Sequence, residues 1–335
     1  MKDVYIMGIE SSCDETSISI VKNGYIEIAT VTSTQMDTHA AYGGVVPEIA
    51  SRMHTESITL VFEELLKKTD LTMNDIDAIA VTYAPGLLGS LLVGIEFAKT
   101  LSLVYNKPLI PVHHILGHIF ANNLVKKIEY PTLALVVSGG HTEIVKMTSN
   151  YDFEVLGSTV DDAVGECFDK VARVLDLKYP GGPNVEKLAA SGKHSYTLPK
   201  PMDNNELNFS FSGLKSAVIN LVHNERQRGN EIIKEDLACS FQNIAIDELV
   251  RKTKLAIEQT GIKNLIVAGG VSANGYLRNE LEKLCNELNV NLSIPPLKYG
   301  TDNGTMIACA AYPLYLKEKF CDFSLNGKSQ EYLFE

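Results

Sequence analysis

Apolar and polar positions change period along this chain, and the changes mark out its elements. A short apolar run from Val4 to Met7 leads into a polar loop. Ile18-Ser19-Ile20-Val21 then returns, with Lys22-Asn23-Gly24 as the next hairpin turn. The same grammar reappears about 130 residues later, as internal duplication requires. There Leu133-Ala134-Leu135-Val136-Val137 reads as a buried strand, Ser138-Gly139-Gly140-His141-Thr142 as a turn, and Glu143 to Met147 as the return strand. Two such copies predict a hairpin unit heading each of two lobes. A third strand, Asn264 to Ala268, runs into Gly269-Gly270-Val271-Ser272-Ala273-Asn274 and opens a helix from about Tyr276 to Leu288. Further helices are expected over 50–69, 92–105, 114–127, 162–175, 215–227 and 234–260. Strands alternating with helices make the fold class α/β.

Length and composition sharpen this picture. A chain of 335 residues exceeds what one core usually supports, so two domains are expected. It is 45% hydrophobic and 21% charged, as ordinary globular proteins are. The apolar start is too short for a signal peptide, and with no stretch of about 20 apolar residues no membrane helix and no membrane partner are expected. Six scattered cysteines without a CxxC pair suit reduced thiols and a cytoplasmic location. The formal net charge of −11 argues against a broad electrostatic grip on nucleic acid. A local basic surface, from Lys193, Lys200, Lys215, Arg226 and Arg228, or a partner would have to supply any such attraction.

The sharpest candidate chemistry is His113-His114-Ile115-Leu116-Gly117-His118. On a helix His114 and His118 face the same way and can share one cation, whereas His113 points elsewhere. A metalloprotease of the HExxH type is excluded, because Ile115 stands where the water-activating Glu belongs. Asp302, in Gly300-Thr301-Asp302-Asn303-Gly304, offers a third ligand, although alone it reads as the cap of the last helix. Three glycine loops, at 8–16, 138–142 and 269–274, have the composition to hold phosphate oxygens, and no Walker A sequence GxxxxGK[ST] is present. Glu10, Asp14 and Glu15 crowd the first loop, a density that marks a cation site or proton chemistry.

These segments together resemble the TsaD/Kae family of tRNA N6-adenosine threonylcarbamoyltransferases, from Gly8 to about Ala310. The resemblance is carried by Gly8–Ser17, Tyr42–Arg52, Pro85–Gly94, the His114/His118 pair, Val137–Thr142, Asp161–Glu166, Phe168–Arg173, Tyr179–Pro183, Phe209–Lys215, the Asn274 loop and Asp302. It implies a two-lobed actin-like ATPase (ASKHA, sugar-kinase-like) fold with duplicated RNase H-like units. The lobes would span 1–130, joined by the last helix near 304–320, and 131–303. By the same resemblance His114, His118 and Asp302 would hold one divalent ion, iron with zinc as the alternative. The adenine nucleotide would lie against Val137, Ser138, Gly139, Gly140 and His141, with Asp169, Gly182, Glu186 and Asn274 around its sugar and base.

Three positions depart from relatives. Glu186 stands where Asp is common, Val136 where archaeal members carry Tyr, and Ala84 where Gly precedes Pro85. The loss of that Tyr implies a more open coordination sphere, and the Ser-Gly-Gly-His loop favours the bacterial branch.

The implied reaction moves a threonylcarbamoyl group from threonylcarbamoyl-AMP, supplied by a TsaC-type synthase, to N6 of adenosine 37 in the anticodon loop of tRNAs reading codons that start with A. Asp14 or Glu15 is the expected proton acceptor or substrate positioner. Implied partners are a TsaB-like paralogue, with the helix at 50–69 as its candidate pairing surface, and a TsaE-like P-loop ATPase. A sugar or acetate kinase of the same superfold would have no use for the His114/His118/Asp302 trio, and a scaffold protein would tolerate its loss.

Overall fold

The computed structural model describes residues 2–202 and 204–331. In chain order it runs β1 (Tyr5–Glu10), β2 (Glu15–Lys22), β3 (Ile26–Thr34), α1 (Met36–Ala40), α2 (Pro47–Lys67), β4 (Ala78–Ala84), α3 (Leu88–Tyr105), β5 (Leu109–His113) and α4 (His114–Phe120). It continues with β6 (Thr132–Val137), β7 (Thr142–Ser149), β8 (Asp152–Ser158), α5 (Val164–Val174), α6 (Gly181–Ala189), α7 (Ser212–Arg228) and α8 (Lys234–Thr260). β9 (Asn264–Ala268), α9 (Gly275–Leu288), β10 (Asn291–Ser293) and α10 (Gly304–Leu316) complete the regular elements.

These elements fall into two compact units, Met1–Ile128 with Pro295–Glu335, and Glu129–Ile294. The return to the first unit comes at Pro295, ahead of the expected boundary at 303, so Asp302 lies in the same unit as the two histidines. Each unit holds one five-stranded sheet. The first is ordered β3-β2-β1-β4-β5 and the second β8-β7-β6-β9-β10. In both, the leading three strands are antiparallel and the first strand runs parallel to the fourth. The duplication therefore extends beyond the hairpin to the whole sheet. Asn23 and Gly24, both at positive φ, turn the chain from β2 into β3 within the three residues between the paired Lys22 and Ile26.

In the first unit Met7, Ile9, Ile18 and Ile20 pack under α2 and α3, against Ile58, Leu65, Leu91 and Ile95. α3 is apolar and long enough to span a bilayer, but it buries Leu91, Ile95, Ala98 and Leu101 in this core and reads as a core helix. α10 also lies against β1, buried from Gly304 to Ala311. A Cβ on Gly8 would stand 2.1 Å from the Gly304 carbonyl oxygen and 2.6 Å from the Ala308 nitrogen. Only glycine permits that approach. In the second unit Leu133, Leu135 and Val137 meet Val185, Leu277 and Leu281, and Phe168 meets Phe241 edge to face at 4.9 Å.

Several boundaries differ from the sequence expectation for physical reasons. The helix expected over 114–127 stops at Phe120 and tightens into a 3-10 turn, Ala121–Leu124, where Asn122 and Asn123 hydrogen-bond locally and weaken the helix. α6 begins on Gly181-Gly182-Pro183, which propensity disfavours, because Asp169 Oδ1 accepts the Gly181 N–H at 2.7 Å. α7 starts earlier than expected because Asp161, far back in the chain, caps it. Its carboxylate accepts the N–H groups of Phe211 (2.8 Å) and Ser212 (3.2 Å) and the hydroxyls of Ser210 and Ser212.

Asp161→Ala should therefore cost about 1 kcal/mol in chemical denaturation, the scale of a lost cap on an exposed residue. Burial opposes ionisation of Asp161, but its hydroxyl and N–H donors outweigh this and depress its pKa. The contribution should be intact above the unfolded carboxyl value, about 3.9, and vanish as pH falls through the lower folded value. An unchanged denaturation midpoint at neutral pH would contradict the assignment.

Candidate functional site

β5 passes directly into α4, so the last strand residue, His113, is followed at once by the helix that carries His114 and His118 one turn apart. Their rings meet edge to face with centroids 4.7 Å apart. Asp302 precedes α10, but it is not that helix's cap. Asn303 takes the role, its side chain accepting the Met306 N–H at 2.9 Å.

Asp302 Oδ1 instead lies 3.2 Å from His118 Nε2 and 3.5 Å from His114 Nε2, and the two Nε2 atoms are 3.2 Å apart. Bonds of about 2.1 Å to a four-coordinate ion would set its ligand atoms about 3.4 Å apart. The donor set of two imidazoles and a carboxylate thus fits a divalent transition ion in both chemistry and spacing. Burial works against a charged His114, but Asp302 and Glu10 outweigh it and lift the imidazole to about 9. The pocket is built to hold positive charge.

His114 Nδ1 faces the other way, 3.1 Å from both Glu10 Oε2 and Ser12 Oγ. Glu10 is fully buried at the end of β1, where Ser12 N–H donates to its Oε1 (2.6 Å) and Thr82 Oγ1 to its Oε2 (2.5 Å). In the adjoining loop, His54 on α2 bonds the Cys13 carbonyl (2.9 Å) and Thr16 Oγ1 (2.7 Å), bracing Asp14 and Glu15 from behind. Burial, then the nearby charges of Asp302 and Asp14, push Glu15 up to about 10. Crowded by Asp302 and Asp14, Glu15 keeps its proton until a cation arrives.

The second unit builds a different surface. Val137 ends β6, and Ser138–His141 turns sharply, with Ser138 N–H donating to the His141 carbonyl (2.8 Å) and His141 N–H to Ser138 Oγ (3.1 Å). Two other backbones press against this turn. A Cβ on Gly165 would meet the Ser138 carbonyl at 2.6 Å, and one on Gly269, whose φ is +89°, would meet the Val137 carbonyl at 2.4 Å. Gly139 and Gly140 have open space where a side chain would stand, and so does Gly182. The loop is rigid behind and accessible in front, as a phosphate cradle requires.

The remaining candidates of this unit form a linked series. Asp169 on α5 anchors the start of α6, and Glu186 on α6 accepts the Gly275 N–H that opens α9 at 2.6 Å. Asn274 caps α9 through the Leu277 N–H and donates to Gln242 of α8 at 2.9 Å.

Other residues are drawn elsewhere. His113 points away from the pair, its Nε2 3.2 Å from the Glu331 carbonyl. Lys215 pairs with Asp162, Arg226 with Asp176 and Arg228 with Glu225, so these cations are committed within the chain. Sequence reasoning missed Ser12, Thr82 and Gln242. It placed Glu10 among crowded carboxylates without seeing its hold on His114. A Glu closing an otherwise apolar strand was the available signal, since such a carboxylate must be paired.

Residues 27–309 match the family profile of TsaD, tRNA N6-adenosine threonylcarbamoyltransferase. The Bacillus subtilis (strain 168) protein of that name is 54% identical over 329 residues, 98% of this chain and 95% of its own length. The Staphylococcus haemolyticus one is 52% identical over 329 residues, covering 98% and 96%. Among solved structures, HypF from T. kodakarensis aligns with a TM-score of 0.64 at 15% identity, over 96% of this chain and 49% of that one. Component A of the Acidaminococcus fermentans (R)-2-hydroxyglutaryl-CoA dehydratase aligns at 0.55 and 15%, over 93% and 99%. These likenesses show the two-lobed actin-like fold.

Proposed function

Because the chain belongs to the TsaD family and forms N6-threonylcarbamoyladenosine (t6A) in tRNA, we propose that His114, His118 and Asp302 hold one divalent ion and that the second unit's loops hold threonylcarbamoyl-AMP. The observation that carries this reading is the spacing of the three donor atoms, at 3.2 to 3.5 Å the edge lengths of a coordination shell. Iron follows from family resemblance, and zinc suits the same donors. A bound ion would supply Lewis acidity and positive charge for the transfer.

The protein's own residues do the rest. Backbone N–H groups of Gly139 and Gly140, at the tip of the Ser138–His141 turn, cradle the phosphate, and the open faces of Gly139, Gly140 and Gly182 leave room for the nucleotide. Asp169, Glu186 and Asn274 fix the three helices around the sugar and base, each through a hydrogen bond already in place. In the transfer, adenosine N6 forms a bond to the carbamoyl carbon while the carbon–oxygen bond to AMP breaks. AMP leaves as the phosphate anion, and Asp14 or Glu15 takes the proton shed by N6. Anticodon-loop bases are unstacked easily enough to reach such a site. A TsaC-type synthase would supply the adenylate, and a TsaB-like paralogue and a TsaE-like ATPase would act as helpers. α2, whose His54 braces the Asp14 loop, is the surface we assign to the paralogue.

A reconstituted assay tests this. Purified protein with helpers, synthase, tRNA, threonine, bicarbonate and ATP should yield the modified nucleoside in tRNA digests, and its absence would end the reading. In the same assay Glu15→Ala should lower the single-turnover rate by about 10²-fold, the usual worth of a general base, with little change in adenylate affinity. An unchanged single-turnover rate would remove Glu15 from the mechanism.

A further inference from the structure

Glu10 is buried completely, and a carboxylate so placed is costly unless its partners compensate. Every hydrogen-bond partner the structure gives it is a donor or a ring nitrogen: Ser12 N–H on Oε1, Thr82 Oγ1 and His114 Nδ1 on Oε2. With a backbone N–H and a hydroxyl donating to it, Glu10 acts as acceptor, and this decides the tautomer of the ring beside it. Ser12 Oγ lies at the same 3.1 Å from Nδ1 but can donate or accept, so it decides nothing. Facing a carboxylate, Nδ1 must keep its proton, so Nε2 is the nitrogen that gives up its own to an ion and turns its lone pair to the space shared with Asp302 and His118. The other imidazole has no such support, for His118 Nδ1 is buried without a hydrogen-bond partner among the described residues.

We propose that Glu10 is the positioning and charge-balancing residue of the metal centre, acting through His114. It fixes the His114 ring so that Nε2 coordinates, and with Asp302 it brings two negative charges to offset a divalent ion in a buried pocket. Thr82 and the Ser12 N–H hold the carboxylate in turn, so β1, β4 and α4 are tied together at the point where the ion would sit. This inference rests on the trio holding an ion, and the experiment separates the two.

Co(II) is titrated into the purified, ion-stripped protein and followed by visible absorption, with thermal unfolding of the stripped protein measured alongside. Glu10→Gln keeps the shape and removes the charge. It should weaken Co(II) binding about 10- to 100-fold, the usual effect of an outer-shell partner, and alter the Co(II) spectrum, while Ser12→Ala changes affinity less than about threefold. Thr82→Val leaves the carboxylate but removes one of the two partners of its Oε2, and should weaken binding about tenfold even if Glu10→Gln does not yield folded protein. Wild-type binding with Glu10→Gln or Thr82→Val at wild-type affinity overturns the role of Glu10 and leaves the trio standing. Failure of the unaltered protein to bind Co(II) overturns the trio itself.

Discussion

His118→Ala should leave a folded protein that retains no tightly bound divalent ion and modifies tRNA on the order of 10²–10³-fold more slowly. The magnitude follows from the loss of one of three protein ligands. An outer-shell partner is worth about 10- to 100-fold in affinity, and a direct ligand should exceed that. Lewis-acid stabilisation amounts to several kcal/mol, and each 1.4 kcal/mol is tenfold in rate. His118 suits this test better than His114 because its Nδ1 makes no hydrogen bond that the substitution would orphan. Its neighbours on α4, Ile115 and Ile119, keep that helix packed. Metal analysis of the purified variant and the reconstituted assay are the readouts. A variant that keeps one ion per chain, or modifies tRNA at the normal rate, would remove the trio from the chemistry.

Gly8→Ala should be the most damaging one-carbon change in the first unit. The added methyl would stand 2.1 Å and 2.6 Å from backbone atoms of α10, and no flexible side chain is there to move aside. Overpacking of this kind costs about 1–3 kcal/mol and occasionally more, and contact with backbone places this case at the upper end. α10 begins two residues after Asp302, so relief by sliding the helix would also shift the carboxylate from the imidazoles. The variant should lose several degrees of thermal stability and bind divalent ion more weakly. Gly139→Ala, by contrast, meets open space and should leave unfolding unchanged. Equal melting temperatures for Gly8→Ala and the parent would refute the packing argument.

Much of this architecture was legible from periodicity because the sheets are built of buried strands. Leu133 to Val137 is apolar throughout and can only be interior, and the hairpin that follows repeats the one at the chain's start. The proposed metal trio was legible in part. His114 and His118 announce themselves by spacing, whereas Asp302 looks like a helix cap, and only three-dimensional placement shows Asn303 doing that work. What escaped was long-range and polar. α6 exists because a carboxylate on α5 holds its first N–H, and α7 starts where it does because Asp161 reaches it from fifty residues away. Thr82 and Gln242 carry no local signal, since a lone Thr in a strand or Gln in a helix is unremarkable until its partner is known. Pattern reports which face is dry, while hydrogen bonds between distant segments report how the dry faces are locked.

The first unit is interrupted between Ile128 and Pro295 by the whole of the second. A ribosome releases the chain in order, and domains fold as they emerge. His114 and His118 must therefore wait without Asp302 while the inserted unit is made and folds. At the proposed centre, capture of an ion would come as a late stitch, joining α4 to the segment before α10, and a nascent protein starved of metal should stall with that last seam open.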